Sequence, residues 1–150
     1  EAYSLFRGKE DSFGLEAIDM LVKSMEDNRD QLVVVLAGYT KEMNEFLEAN
    51  SGLKSRFANT IEFPDYTAEQ LLQIAISIAT KKQYQINNAA QTKLLSYFEH
   101  IQSLKDHRSG NGRLARNVVE DAILKQASRI SKDLNASLTE LTSEDFYLDA

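Results

Sequence analysis

Two arginine-bearing segments hold the residues whose type and spacing could do chemistry. Arg113 and Arg116 follow a Gly-Asn-Gly turn at 110–112, and Arg56 ends the segment Gly-Leu-Lys-Ser-Arg. An arginine is permanently charged and presents a rigid fork of N–H donors. The turn predicts that Arg113 lies in the first turn of a helix, where unpaired backbone N–H groups also favour an anion. An isolated arginine is also a common solvated surface residue, and the residue type alone does not separate the two interpretations.

Several common chemistries are excluded by composition. The chain has 150 residues and no cysteine, which excludes a disulfide, a thiolate nucleophile and a cysteine zinc site. His100 and His107 have the spacing of neither a metal pair nor a catalytic relay, so we interpret both as surface residues and predict no metal site. The longest apolar run, Leu32–Gly38, is too short to span a bilayer. With no signal peptide recognised, a cytoplasmic protein without a membrane partner is expected.

The net charge of −6 is unevenly distributed. Residues 1–66 carry seven Lys/Arg against thirteen Asp/Glu, whereas residues 67–150 carry ten of each. An acidic first half disfavours nucleic acid as a partner, because such binding uses Lys and Arg to neutralise phosphates. The contrast indicates two units, and the single proline, Pro64, lies near their boundary.

The first half reads as helices alternating with apolar strands. Helices are predicted over 13–26 and 41–49, and a short strand over 59–63. The valine-rich run Leu32–Gly38 shows no polar alternation, which predicts a strand buried on both faces of a parallel sheet. The side chains predicted to face inward from the two helices are Phe13, Ile18, Leu21, Val22, Met25, Met43, Phe46 and Leu47.

The second half reads as helical throughout. Thr67 and Gln70 form a capping-box pattern that starts the first helix. Further helices are predicted over 88–104, from 112 to about 134, and over 142–150. The apolar positions predicted to face inward are Leu71, Leu72, Ile74, Ala75, Ile78, Leu94, Leu95, Phe98, Ile101, Val118, Val119, Ile123, Ala127 and Ile130.

The predicted sheet lacks neighbours. A strand buried on both faces needs a partner on each edge, yet only one other clear strand is predicted. We therefore expect that the first part of a larger α/β domain is missing and that the open edge promotes association between chains. A complete α+β domain with a poor sheet is the alternative.

Five segments together resemble one family. They are EAYSLF, FGLEAIDMLVKSMEDNRDQLVVVLAGY, NSGLKSRF, IEFPDYTAEQL and GNGRLARN. In this order, over roughly residues 1–130, they are similar to the AAA+ ATPases, closest to the group of CbbX-type Rubisco activases, stage V sporulation protein K and type VII secretion ATPases. The resemblance implies an α/β plus all-α fold: a truncated AAA+ P-loop NTPase α/β domain over 1–66, then a helical lid domain over 67–150.

The resemblance also implies a role for each candidate residue. Glu1, followed by Ala-Tyr, corresponds to the Walker B glutamate that orients the attacking water, and Arg56 to the arginine finger. Arg113 corresponds to the sensor 2 arginine, while Arg116 either shares that role or pairs with an acidic neighbour such as Glu120. Sensor 1 falls on Tyr39 or Thr40, or the role is lost, with packing at a strand end as the alternative for Tyr39. Phe6, Arg7, Gly8 and Lys9 occupy the segment of the second pore loop, although an ordinary surface loop is the alternative there.

The phosphate-binding pattern G-x-x-x-x-G-K-[ST] is absent from the sequence. The resemblance implies ATP and Mg²⁺ for the parent protein, but this chain alone is expected to bind ATP poorly and hydrolyse it negligibly. The parent is expected to form a ring of its own copies, a hexamer in this family, that remodels an unidentified client protein. A non-catalytic helical protein-interaction module is the alternative function.

Overall fold

The computed structural model describes residues 1–5, 11–48, 51–104, 110–132 and 135–148. The chain divides into two compact units, Glu1–Phe63 and Pro64–Ala150.

The first unit is a small helical cluster. A 3-10 helix, Ala2–Leu5, precedes helix α1 (Ser12–Asp27), α2 (Thr40–Glu48) and α3 (Ser51–Arg56). One core side chain comes from each α-helix, and partly buried residues surround them. The fully buried residues are Ile18, Phe46 and Leu53, and those packed on them are Tyr3, Val22, Leu36, Met43, Leu47 and Phe57.

The two predicted strands of the first unit are wrong as strands. Residues 32–38 and 59–63 have no strand assignment within the described part of the chain. Val33 is 87% exposed and Phe63 is 89% exposed, so neither segment is buried. A strand exists through hydrogen bonds to a neighbouring strand. In the first segment the Ala37 carbonyl accepts from the Ala2 N–H at 3.0 Å and the Leu32 N–H donates to the Asn28 carbonyl at 2.9 Å, and neither Ala2 nor Asn28 lies in a strand.

Both predicted helices of the first unit are confirmed, but Phe13 does not face inward as predicted. Helices α1 and α2 match the predicted spans to within one residue at each end. Phe13 was predicted to face inward and is 83% exposed, whereas the buried residues of α1 are Gly14 and Ile18. Helix α3, which ends at Arg56, was not predicted.

The second unit is a three-helix core closed by a short parallel ladder. Helix α4 (Ala68–Lys81) packs against α5 (Asn88–Ser103) and α6 (Gly112–Ile130). Strand β1 (Gln85–Ile86) pairs in parallel with β2 (Glu140–Leu141). The buried apolar residues are Ala68, Leu71, Ala75, Ala79, Ile86, Ala90, Leu94, Phe98, Ala115, Val119, Ala122, Leu141 and Phe146.

The capping box at the start of α4 is confirmed. The Gln70 N–H donates to Thr67 Oγ1 at 3.3 Å, and the Thr67 N–H donates to Gln70 Oε1 at 2.9 Å. The two bonds satisfy two backbone donors that the helix itself leaves open.

The C-terminal part of the second unit differs from the prediction. Helix α6 ends at Ile130 rather than near 134, and Gln126 is buried where Ala127 was predicted to be. The Gln126 amide donates to the Leu138 carbonyl at 2.9 Å, so its polar group is satisfied. The predicted helix over 142–150 is wrong, because residues 143–145 form a turn and the other described residues of that segment have no regular secondary structure.

Candidate functional site

The Gly-Asn-Gly turn presents Arg113 at the start of α6. Gly110 has φ +81° and Asn111 has φ 46°, both in the left-handed region. The Arg113 N–H donates to the Gly110 carbonyl at 2.8 Å, which closes the turn tightly. The Arg113 side chain is exposed. It has no hydrogen-bond or ion-pair partner within the part of the chain that the structure describes, so its guanidinium donors are available there.

Arg116 lies one turn further along α6 and is also exposed. Arg116 does not form the suggested pair with Glu120. Glu120 Oε1 instead lies 3.5 Å from Nζ of Lys82, the residue that follows α4. Two exposed arginines therefore follow the turn.

The side chain of Asn111 bonds away from its own helix. It makes no capping bond to α6. Its Oδ1 accepts from the Tyr66 N–H at 3.1 Å, and its Nδ2 donates to Asp65 Oδ1 at 2.8 Å. Gln102 Nε2 donates to the Tyr66 carbonyl at 2.6 Å. The residues just before α4 are thus held by both the α6 turn and the end of α5.

Arg56 is the last residue of α3 and is already engaged within its own unit. Its Nη2 donates to Glu26 Oε2 at 2.8 Å, and its Nη1 donates to the Gly52 carbonyl at 3.4 Å. The side chains are 31% and 60% exposed for Arg56 and Glu26, so the pair lies at the surface. Sequence reasoning missed Glu26, because thirty residues separate the two and no local spacing relates them.

The start of the chain lies beside the segment that precedes the residues predicted as sensor 1. The bond from the Ala2 N–H to the Ala37 carbonyl brings the start of the chain beside the 32–38 segment. Desolvation raises the pKa of the Tyr3 phenol, and the nearby charges of Glu1 and Glu42 raise it further. Tyr39 contributes in the same direction, so Tyr39, like Glu1 and Glu42, lies near the Tyr3 phenol.

Tyr39 is 60% exposed, which argues against the packing role that was its alternative. Thr40 is the exposed first residue of α2. Gly38 lies tightly against the side chains of Tyr3 and Met43. A Cβ at this position would lie 2.7 Å from Tyr3 Cε1 and 2.8 Å from Met43 Sδ. Only glycine allows this close approach of backbone and ring.

The described residues do not by themselves fit ATP with Mg²⁺. No group of three or more His, Asp or Glu side chains among them could hold a metal ion. Two clefts of the second unit have volumes of about 140 and 480 Å³; Lys125 lines the smaller and Lys93 the larger, and neither is lined by an arginine. What these residues offer to a nucleotide is a set of guanidinium groups.

The remaining predicted residues add little to the candidate site. His100 is exposed, in agreement with the prediction. His107 and the candidate pore-loop residues Phe6 to Lys9 lie outside the described residues. Across the described ranges, no helix combines the length and the apolar character that crossing a bilayer requires.

Residues 67–150 match the family described as the AAA lid domain, which is more than half of the chain. This chain belongs to the AAA+ family. The AAA lid corresponds to the helical unit built from α4, α5 and α6, and it contains the Gly-Asn-Gly turn and Arg113.

Three relatives of this AAA+ chain illustrate the match. Stage V sporulation protein K of Bacillus subtilis is 44% identical over 152 residues, covering 99% of this chain and 47% of the relative. Protein CbbX of Cereibacter sphaeroides is 43% identical over 131 residues, covering 87% and 42%. The chloroplastic ribulose bisphosphate carboxylase/oxygenase activase of Cyanidioschyzon merolae is 40% identical over 140 residues, covering 93% and 47%. The resemblance to this group is confirmed, and the chain spans about half the length of these curated relatives.

Proposed function

We propose that this chain is the lid-bearing C-terminal part of an AAA+ ATPase that couples ATP hydrolysis in a ring to remodelling of a partner protein. The observation that carries the proposal is the AAA lid itself, with an exposed arginine in the first turn after a left-handed Gly-Asn-Gly turn. A helix start and a guanidinium together attract a phosphate group. Arg113 is the sensor 2 residue in this proposal, and Arg116 is its second contact.

Arg56 acts in trans as the arginine finger of the proposed ring. Its guanidinium would neutralise charge that develops on the γ-phosphate bound by the neighbouring subunit. The surface pair with Glu26 does not prevent this, since exposed ion pairs contribute only about 0–1 kcal/mol. A triphosphate offers a denser charge than one carboxylate, so Arg56 can exchange partners when a subunit docks.

The first unit supplies the remaining groups. Glu1 would orient the attacking water, and the hydroxyl of Tyr39 or Thr40 would contact the phosphate as sensor 1. The proximity of Glu1 and Tyr39 to the Tyr3 phenol supports this assignment. In the proposed protein, the phosphate-binding loop and the Mg²⁺ ligands come from residues upstream.

One experiment tests the proposal directly. The residues encoded upstream of Glu1 are joined to the chain, and ATP hydrolysis is measured. We expect activity in the extended chain and a loss of about a thousandfold in Arg56→Ala, the scale of an arginine finger. Lys54→Ala is the matched control, because Lys54 is an exposed cation on the same helix, paired with Glu48.

Mixing extends this test to the ring. Subunits with Arg56→Ala are titrated into wild-type subunits, and activity should fall more steeply than the fraction of variant added, since each finger serves a neighbour. A linear decline would argue that Arg56 acts within its own subunit. The 150-residue chain alone should show only weak ATP binding by calorimetry, and tight binding would contradict that part of the proposal.

A non-catalytic interaction module is the second candidate, and the bond from Arg56 to Glu26 favours it, because it gives the arginine a structural role. The extended chain separates the two functions. Absence of ATP hydrolysis, with nucleotide and ring assembly both tested, would support the interaction module. A cytoplasmic location belongs to either proposal.

A further inference from the structure

The contacts of Asn111 tie the arginine-bearing turn to the chain that enters the lid. Asn111 occupies the N-cap position of α6, two residues before Arg113. An asparagine there ordinarily caps the helix with its side chain. This one instead uses both ends of its amide on Asp65 and Tyr66, at 2.8 and 3.1 Å. Asn111 therefore does not contribute the usual capping bond to α6, and its side-chain amide instead bonds the residues that lead into the lid.

Two further contacts fix Tyr66 at the same position. Gln102 donates to the Tyr66 carbonyl at 2.6 Å, so the N–H and the carbonyl of Tyr66 are both bonded by side chains. Gly112 lies beside the Tyr66 ring, since a Cβ there would meet Tyr66 Cε2 at 3.7 Å. The group formed by Asp65, Tyr66, Gln102 and Asn111 is called the entry clamp below.

We propose that Asn111 is a positioning residue that couples the Arg113 turn to the chain entering the lid. Through the entry clamp, Asp65 and Tyr66 move with the α6 turn rather than as a free linker. A ligand that pulls on Arg113 therefore displaces Asp65 and Tyr66 as well. This inference rests on the proposed function, because it assigns to the lid arginine a route by which nucleotide contact reaches the rest of the chain.

The chemistry of the clamp allows a reciprocal test. Asn111→Asp keeps an acceptor for the Tyr66 N–H but sets two carboxylates against each other at Asp65, and like charges repel. Asp65→Asn alone preserves an acceptor for the Asn111 amide. The double variant restores a donor and an acceptor in exchanged positions. Asn117→Asp, an exposed change of the same kind on α6, is the control for charge.

The first readout is amide hydrogen exchange at Tyr66 in the extended chain. We expect Asn111→Asp to raise this rate about tenfold, because the bond that protects the amide opens more often. The double variant should return the rate to the wild-type value, and Asn117→Asp should not move it. An unchanged rate in Asn111→Asp, or a raised rate that the double variant leaves uncorrected, overturns the clamp.

The second readout separates coupling from stability. In the extended chain we expect Asn111→Asp to lower kcat for ATP about fivefold while KM stays within about twofold, the scale of a coupling between two sites. Asn87→Ala, which removes the N-cap bond of α5 to the Ala90 N–H, supplies a destabilised lid with an intact clamp. Equal loss of kcat in Asn87→Ala, or no recovery of kcat in the double variant, overturns the positioning role.

The failure of the proposed function has a different signature. If the wild-type extended chain hydrolyses no ATP, the proposed function and the coupling role are both overturned. Exchange at Tyr66 still decides whether the clamp exists, because that measurement does not require hydrolysis.

Discussion

Arg129 and Asp145 meet through two parallel hydrogen bonds, Nε to Oδ1 at 2.8 Å and Nη2 to Oδ2 at 2.9 Å. The Asp145 side chain is 1% exposed, and the Thr142 N–H and hydroxyl also donate to its Oδ2. Burial acts to raise the pKa of Asp145, but the bonds from Arg129 and Thr142 outweigh it, and the net pKa lies below the ordinary value. The pair fastens the C-terminal segment to α6.

The stability of the lid should therefore depend on acid. Because the folded pKa of Asp145 is depressed, its contribution is complete above the unfolded pKa of about 3.9 and is lost as the pH falls through the folded pKa. Thermal unfolding followed from about pH 6 down to about pH 2.5 should show this loss, and Asp145→Asn should remove that part of the pH dependence. Asp121→Asn, an exposed carboxylate on α6, should retain it.

Breaking the pair at neutral pH should be costly. Asp145→Ala leaves a partly buried guanidinium without its carboxylate, with only the Glu140 carbonyl at 3.3 Å still accepting from it, and we expect a loss of about 3 kcal/mol in the free energy of unfolding. Urea unfolding of the chain measures this loss. A loss no larger than that of Asp121→Ala would show that the pair contributes as little as an exposed one.

Nucleotide affinity should distinguish the two arginines of α6. In the extended chain, Arg113→Ala should weaken ATP binding about tenfold, corresponding to one charge-assisted contact to a phosphate. Arg116→Ala, the matched change one turn away, should weaken binding by no more than about twofold. Calorimetry measures both constants. The reverse order of effects would move the sensor 2 assignment to Arg116.

Gly38 should not tolerate a methyl group. A Cβ at this position would lie 2.7 Å from Tyr3 Cε1, so Gly38→Ala should lower the free energy of unfolding of the first unit by about 1–3 kcal/mol. Gly112→Ala is the control, since its Cβ would meet an ordinary contact of 3.7 Å. Urea unfolding compares them, and equal effects of the two changes would contradict the close packing of Gly38 against Tyr3.

The exposed valines should cause the isolated chain to associate. Val33 and Val35 are 87% and 84% exposed in the segment 32–38, which has no strand assignment. Such a segment offers both apolar surface and unpaired backbone to another chain. Sedimentation should show concentration-dependent oligomers that Val33→Lys with Val35→Lys weakens about tenfold. Leu124→Lys, at an exposed leucine of α6, should leave the association unchanged. A monomer at every concentration would refute the expectation.

The features predicted best from the sequence are those that depend on residues close together along the chain. The Thr67–Gln70 capping box depends on residues three apart, and both of its bonds are present. The start of α6 was predicted from the Gly-Asn-Gly turn for the same reason. Local signals of this kind need no knowledge of what packs against them.

Features set by distant contacts were not predicted. Strands β1 and β2 have two residues each and exist through each other, so neither carries a periodic pattern. The 32–38 segment has the composition of a buried strand, yet composition cannot supply the neighbours that make a strand. Glu26 was missed because only the packing of α1 against α3 brings it to Arg56.

The ladder between β1 and β2 also bears on how the lid is made in the cell. Ile86 and Leu141 are register partners, and both belong to the core of the helical unit. A ribosome therefore exposes α4 and α5 well before it delivers the strand that completes their packing. Until Leu141 and Phe146 have emerged, the nascent lid carries uncovered apolar surface of the kind that chaperones bind.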